Sequence, residues 1–225
     1  MNETPPSRSA ASIEALLETL RSDPRPPISA GTIERAREVH VADSLSGLEF
    51  EQLSAAERIA DLGSGAGFPG LVLAASLPGA QVDLVESVSR KCGYLHRAIE
   101  GAGLENAFVV CERAEIWGGG EGRERYDAVT ARAVGRLATL AELASPLLRP
   151  GGVLLAWKGR RDREQESELA RAAGRVAIEA VEVRSVRPYA ASRDRHIHLL
   201  RKNGPTPDDL PRRVGSAAKR PFGAE

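Results

Sequence analysis

Cysteine, long apolar runs and net charge are all scarce in this chain, and each scarcity closes off a class of protein. Only Cys92 and Cys111 occur among its 225 residues. Neither belongs to a C-x-x-C pair or lies beside a histidine cluster, so neither a metal site nor a disulfide framework is expected. Free thiols suit a reducing compartment. No apolar run reaches the roughly 18 residues needed to span a membrane. The start, Met1 to Ala11, is polar and proline-bearing and lacks an apolar signal core. A cytoplasmic protein with no membrane partner is the expectation. Lys+Arg and Asp+Glu both number 31, so the formal net charge is zero. No global basic field announces a nucleic-acid partner, although a local patch can still serve one. Only four of the 31 basic residues are lysine. Arginine suits phosphate and planar recognition, but genome base composition is the better account of the bias.

What is present is a mostly regular alternation of strands and helices. Residues 1–10 read as disordered, and Ser12 to Arg21 as a short helix capped by Ser12, with Ile13, Leu16, Leu17 and Leu20 on one face. Asp23-Pro-Arg-Pro-Pro27 ends it, and residues 32–57 hold one or two more helices. From Arg58 onward, strands are expected at 58–62, 81–86, 107–111, 126–131, 153–158, 181–186 and 196–202. Helices are expected at 70–77, 89–102, 136–148 and 161–175. Gly118–Gly122 reads as a flexible surface loop and Pro150-Gly151-Gly152 as a turn. The pattern predicts right-handed βαβ units, hence an α/β Rossmann-like fold with a mostly parallel seven-stranded sheet and two final antiparallel strands. The expected organisation is an N-terminal helical extension (1–57), a main domain (58–203) and a basic C-terminal tail (204–225).

The most informative stretch is Asp61-Leu-Gly-Ser-Gly-Ala-Gly-Phe-Pro-Gly70, between the first strand and a helix. Glycines there let the backbone turn sharply and approach a ligand at a helix N-terminus. G-x-G-x-x-G alone also fits dinucleotide dehydrogenases. Three carboxylates shift the reading to S-adenosylmethionine. Asp61 precedes the loop, where pyrophosphate would be repelled but a sulfonium bearing an ammonium group is tolerated. Glu86 ends the second strand, placed for ribose hydroxyls. Glu115 follows the third strand, placed for an adenine amino group.

These residues resemble a known family. Asp61 to Leu71 is similar to the signature of the RsmG/GidB family of 16S rRNA guanine-N7 methyltransferases, above all in its Gly67-Phe-Pro-Gly70 ending. His40-Val-Ala-Asp-Ser-Leu45, Glu86-Ser-Val-Ser-Arg-Lys91, Arg113-Ala-Glu115, Thr130-Ala-Arg-Ala133, Lys158-Gly159, Arg195-His196 and the tail Leu210 to Phe222 resemble its further motifs in order. The resemblance covers about residues 38–222. It implies an S-adenosyl-L-methionine-dependent methyltransferase acting on 16S rRNA in the small ribosomal subunit. It also implies cofactor contacts at Gly63, Phe68, Ala114, Glu115 and Arg132, with Glu86 at the ribose; Gly65 of the glycine loop is a further cofactor candidate. Pro26 to Thr32 departs from the family pattern, which bears on the N-terminal RNA surface and not on the cofactor residues.

Guanine N7 has an exposed lone pair and no proton, so its methylation needs no general base. The absence of an obvious catalytic triad accords with that, and no catalytic residue is assigned. Candidate substrate contacts are His40, Lys158, Arg195, Arg212 and Lys219, with Asp43 beside His40 as a possible closure of the pocket. Residues 193–220 hold eight basic against three acidic residues, a patch suited to RNA phosphates. A methyltransferase acting on another RNA or a small molecule is the alternative. A binding protein that has lost turnover is the non-enzymatic one. Oligomeric state is not legible, and a monomer is the default.

Overall fold

Apolar residues alternate between the two faces of each central strand, and that alternation divides the core. Ile59, Val82, Leu84, Ala128, Leu155 and Leu199 join one cluster; Ala60, Leu62, Val85, Val129, Leu154 and Leu200 join another. A sheet buried on both faces follows. The computed structural model describes residues 7–224.

The elements are α1 (Arg8–Ser22), α2 (Ala30–Ile33), α3 (Ala42–Leu45), α4 (Glu51–Ser54), β1 (Arg58–Leu62), α5 (Gly70–Ser76), β2 (Gln81–Val85), α6 (Ser89–Ala102), β3 (Ala107–Val110), α7 (Ala114–Gly119), β4 (Tyr126–Arg132), α8 (Leu137–Ala144), β5 (Leu148–Lys158), α9 (Arg163–Val176), β6 (Ile178–Ser185), β7 (His196–Lys202) and α10 (Ser216–Lys219). The sheet order is β3-β2-β1-β4-β5-β7-β6. Neighbours from β3 to β5 are parallel, while β7 is antiparallel to both β5 and β6. Strand order reverses between β1 and β4, and ligands of open α/β sheets bind at the carboxyl ends there.

Boundaries differ from expectation where packing overrides local signals. The expected disorder of residues 1–10 lies partly outside the described residues. From Ser7 on, the chain is ordered: Ser7, not Ser12, caps α1, accepting from Ala10 N–H. Ser12 instead faces inward and its hydroxyl donates to Ala102 O at 3.0 Å, tying α1 to α6. Of the glycines at 118–122, Gly119 and Gly120 lie on the surface as expected, whereas Gly118 and Gly122 are buried and serve close packing. A Cβ on Gly122 would lie 2.4 Å from the Trp117 ring, and one on Gly118 would lie 2.9 Å from Pro146. The expected 136–148 helix ends at Ala144, before Pro146, and Leu148 already opens β5. Pro150-Gly151-Gly152 is a bulge within that strand, not a turn between elements: Leu148 pairs with Tyr126 and Val153 with Ala128.

The cysteines are the clearest correction. Cys92, near the start of α6, and Cys111, just beyond β3, form a disulfide, with Cα atoms 5.8 Å apart. The pairing of β2 with β3 brings together two positions that show no motif in the sequence. The inference of a reducing compartment loses its basis accordingly.

Candidate functional site

The glycine loop folds as it does because three carboxylate and hydroxyl groups hold it from below and behind. Asp61, 1% exposed, accepts from Thr130 Oγ1 at 2.8 Å and from Gly70 N–H at 3.2 Å. Burial lifts its pKa to about 6 against the pull of Thr130, Ser64, Gly70 and Arg132. Asp61 is thus an internal latch pinning the start of α5, rather than a group offered to a ligand. Gly70 cannot be larger, since its Cβ would lie 2.3 Å from Leu84 Cδ2. Gly63 has φ +64°, and a Cβ there would meet Val134 Cγ2 at 2.9 Å. Glu86 reaches back to the loop: Gly65 N–H donates to its Oε2 at 3.0 Å and Val88 N–H to its Oε1 at 2.9 Å. Lys91 Nζ stands 3.8 Å from the same carboxylate.

Two cavities meet at Gly63. The smaller, about 180 Å³, is lined by Gly63, Glu86, Ala114, Glu115, Val134 and Thr139, with Gly215 and Ala218 of the tail as one wall. An apolar slot with a carboxylate at one end suits a nucleoside. Glu115 is already engaged by the tail: Gly215 N–H donates to its Oε1 at 2.8 Å. The larger cavity, about 690 Å³, is lined by Gly63–Ala66, Phe68, Lys91, Arg132, His40, Asp43, Arg35, Tyr189 and Arg195.

The wall of the larger cavity comes from two distant parts of the chain. A π-helical turn, Arg37–Val41, leads into α3 and delivers His40 and Asp43. The loop between β6 and β7 delivers Tyr189 and Arg195, the arginine donating to Tyr189 Oη at 3.3 Å. Arg132 Nη1 meets Asp43 Oδ2 at 3.1 Å in a nearly buried ion pair. Burial pulls the Arg132 pKa down, and Asp43 opposes that pull. Asp43 is fixed further by Trp157, whose Nε1–H donates to its carbonyl at 2.8 Å. His40 stacks on Phe68, with ring centroids 5.0 Å apart and planes at 23°. Burial, then Arg132 and Arg195, push the His40 pKa down to about 4, so the ring is uncharged at neutral pH.

The expected residues therefore divide. Gly63, Gly65, Phe68, Glu86, Ala114, Glu115 and Arg132 line one cavity or the other, as do His40 and Arg195. Lys158, Arg212 and Lys219 line neither. Lys158 Nζ donates to Gly135 O at 2.6 Å. Arg212 makes paired 2.6 Å bonds to Glu142, and its guanidinium lies 3.9 Å over Phe222. Lys202, counted in the basic patch, is wholly buried, with Nζ on Glu124, Thr206 and two carbonyls. The tail is a strap packed across α8 and α9, and Arg213, Lys219 and Arg220 are the cations it leaves exposed. Arg35 and the tail wall at Gly215 and Ala218 escaped sequence reasoning, because only the tertiary fold brings them to the cavities.

Residues 28–198 match the family model described as "GidB: rRNA small subunit methyltransferase G". Two curated relatives bear the name ribosomal RNA small subunit methyltransferase G. One, from Sorangium cellulosum, is 44% identical over 177 residues, covering 78% of this chain and 72% of the relative. The other, from Thermotoga neapolitana, is 38% identical over 206 residues, covering 92% and 88%. Among solved structures, the Methanococcus jannaschii fibrillarin pre-rRNA processing protein superposes with a TM-score of 0.56 at 18% identity, covering 72% of this chain and 74% of that one. Aeropyrum pernix fibrillarin, solved in complex with S-adenosyl-L-methionine, superposes with a TM-score of 0.52 at 20% identity, covering 71% and 72%. At such identities these two structures speak for the fold alone.

Proposed function

The chain belongs to the GidB family of small-subunit rRNA methyltransferases, and on that premise we propose that it transfers a methyl group from S-adenosyl-L-methionine to N7 of a guanine in 16S rRNA. The observation that carries this reading is the meeting of the two cavities at Gly63, at the strand-order reversal. One cavity has the shape and carboxylate of a nucleoside slot. The other is wider, open and bounded by cations.

The residues fit that cofactor. Glu86 lies at the ribose position, and each of its oxygens keeps a lone pair beyond the backbone bond it already accepts. Ala114 and Glu115 bound the adenine end, and Gly63 and Gly65 let the backbone come close at the methionine end. S-adenosylmethionine supplies an electrophilic methyl group on a sulfonium. Phe68 and Arg132, which the resemblance assigns to the cofactor, line the wider cavity and not the nucleoside slot, so with His40 they hold the acceptor base beside it. No side chain needs to take a proton, because N7 has none. Alignment alone accounts for about 7–11 kcal/mol of the barrier in well-oriented systems. The exposed Arg187, Arg193, Arg213, Lys219 and Arg220 supply phosphate contacts, with affinity that falls as salt rises. The ribosomal acceptor, and no longer the cysteines, supports a cytoplasmic location, where the protein acts as a monomer on the small ribosomal subunit. Light scattering of the purified chain tests the monomer.

The deciding experiment incubates the full chain with methyl-labelled S-adenosylmethionine and small subunits lacking the modification. Label recovered as 7-methylguanine in 16S rRNA is expected. Cofactor binding without any label in 16S rRNA rejects the reading.

A further inference from the structure

Both ring nitrogens of His40 are enclosed, and neither finds a hydrogen-bond partner among the described residues. A buried polar group left so costs free energy, so hydrogen bonding within the protein is not what holds this side chain here. What the ring does offer is a face. It stacks on Phe68, both rings line the larger cavity, and Arg132 Cζ lies 5.5 Å over the Phe68 ring with Asp43 balancing its charge.

The chemistry explains why such a surface would be uncharged. As the methyl group moves, the S–C bond breaks and its electron pair returns to sulfur. The N7 lone pair forms the new N–C bond, and no proton is released. The positive charge of the sulfonium thus ends on the purine. A further cation within a few ångströms would oppose that arrival, whereas an aromatic face attracts it. Around His40, burial, Arg132 and Arg195 keep the ring neutral, and Asp43 offsets Arg132.

We propose that His40 and Phe68 form the platform on which the target purine stacks, and that His40 serves there as a neutral aromatic surface rather than as a proton carrier or hydrogen-bonding group. This rests on the guanine-N7 reading above. Single-turnover methylation of small subunits by His40→Phe, His40→Gln and His40→Lys tests it, with cofactor affinity and melting temperature measured alongside. His40→Phe should stay within about fivefold of the unsubstituted chain. His40→Gln should fall roughly 10- to 100-fold, the scale of a lost base–aromatic stack, and His40→Lys should fall further. Equal losses in the Phe and Gln variants, retention by Gln but not Phe, or normal turnover in the Lys variant overturns the proposal. A measurement without substitution guards against misfolding: the cationic 7-methylguanosine monophosphate should bind the unsubstituted chain several-fold more tightly than guanosine monophosphate. Equal binding overturns the platform, while absence of label with the unsubstituted chain rejects the function itself.

Discussion

The two cavities that meet at Gly63 are built differently. The smaller is floored by strand ends and the loops directly following them, with Gly65 N–H bound to Glu86, and only its outer wall comes from afar, where Gly215 N–H of the tail reaches Glu115 across 100 residues. The larger cavity is closed wholly by groups brought from far along the chain. Asp43 meets Arg132 across 89 residues and Trp157 across 114. The first is a property of the Rossmann-like fold, which many enzymes share. The second belongs to this chain's own extension and β6–β7 loop, the parts in which a shared fold acquires its particular function.

The substitution expected to break this comparison outright is Gly63→Val, because Gly63 borders both cavities. A β-branched residue at φ +64° is strained, and its Cβ would also press on Val134. S-adenosylmethionine affinity should fall about 100-fold or more, by roughly 3 kcal/mol, with the far-ultraviolet circular dichroism unchanged. Unaltered affinity in a calorimetric titration would remove Gly63 from the cofactor site.

Asp43→Asn probes the long-range side. It leaves Arg132 nearly buried without its counter-charge, a change that costs about 3–5 kcal/mol when such pairs are broken. Methylation should collapse while cofactor affinity stays within a few-fold, because the nucleoside slot does not use Asp43. If both losses were equal, the two halves would be energetically one site.

Asp61→Asn sharpens the comparison at the glycine cradle through pH. Burial raises the Asp61 pKa from 3.8 to about 6. Between those values the folded chain holds a proton that the unfolded chain has released. The contribution of this group to stability is therefore full below pH 4 and declines as pH rises through 6, by roughly 3 kcal/mol at the limit. Urea midpoints at pH 4.5 and 7.0 should show the Asn variant gaining on the parent at the higher pH. The reverse trend would mean that Asp61 is stabilised as an anion.

The smallest effect is expected at Lys219→Glu, on the exposed edge of the strap. RNA affinity should drop a few-fold, and the slope of log affinity against log salt should shrink by about one contact. A wholly salt-independent change would separate the strap from the phosphate surface.

The alternation of strands and helices and the glycine cradle were legible in the sequence, because each rests on local signals: short apolar runs at 58–62 and 81–85, and glycines where a side chain cannot fit. The family resemblance added the acceptor, which neither charge balance nor spacing carried. What escaped was tertiary. Asp61 reads as a ligand carboxylate until Thr130 and Gly70 are seen to occupy it. Arg212 and Lys202 read as a basic patch until Glu142, Glu124 and buried carbonyls are seen to engage them. The bond between Cys92 and Cys111 depends on β2 and β3 being neighbours, and no cysteine spacing encodes that.

The Asp43–Trp157 bond also sets a schedule for the growing polypeptide. Asp43 leaves the ribosome early and waits for a tryptophan 114 residues behind it, an interval on the order of 10 s at about 5–20 residues per second. Throughout that interval the segment bearing His40 lacks its anchor, even after the glycine cradle has emerged. A nascent chain of intermediate length can thus hold the glycine cradle while the wall that carries His40 and Asp43 is still unfixed.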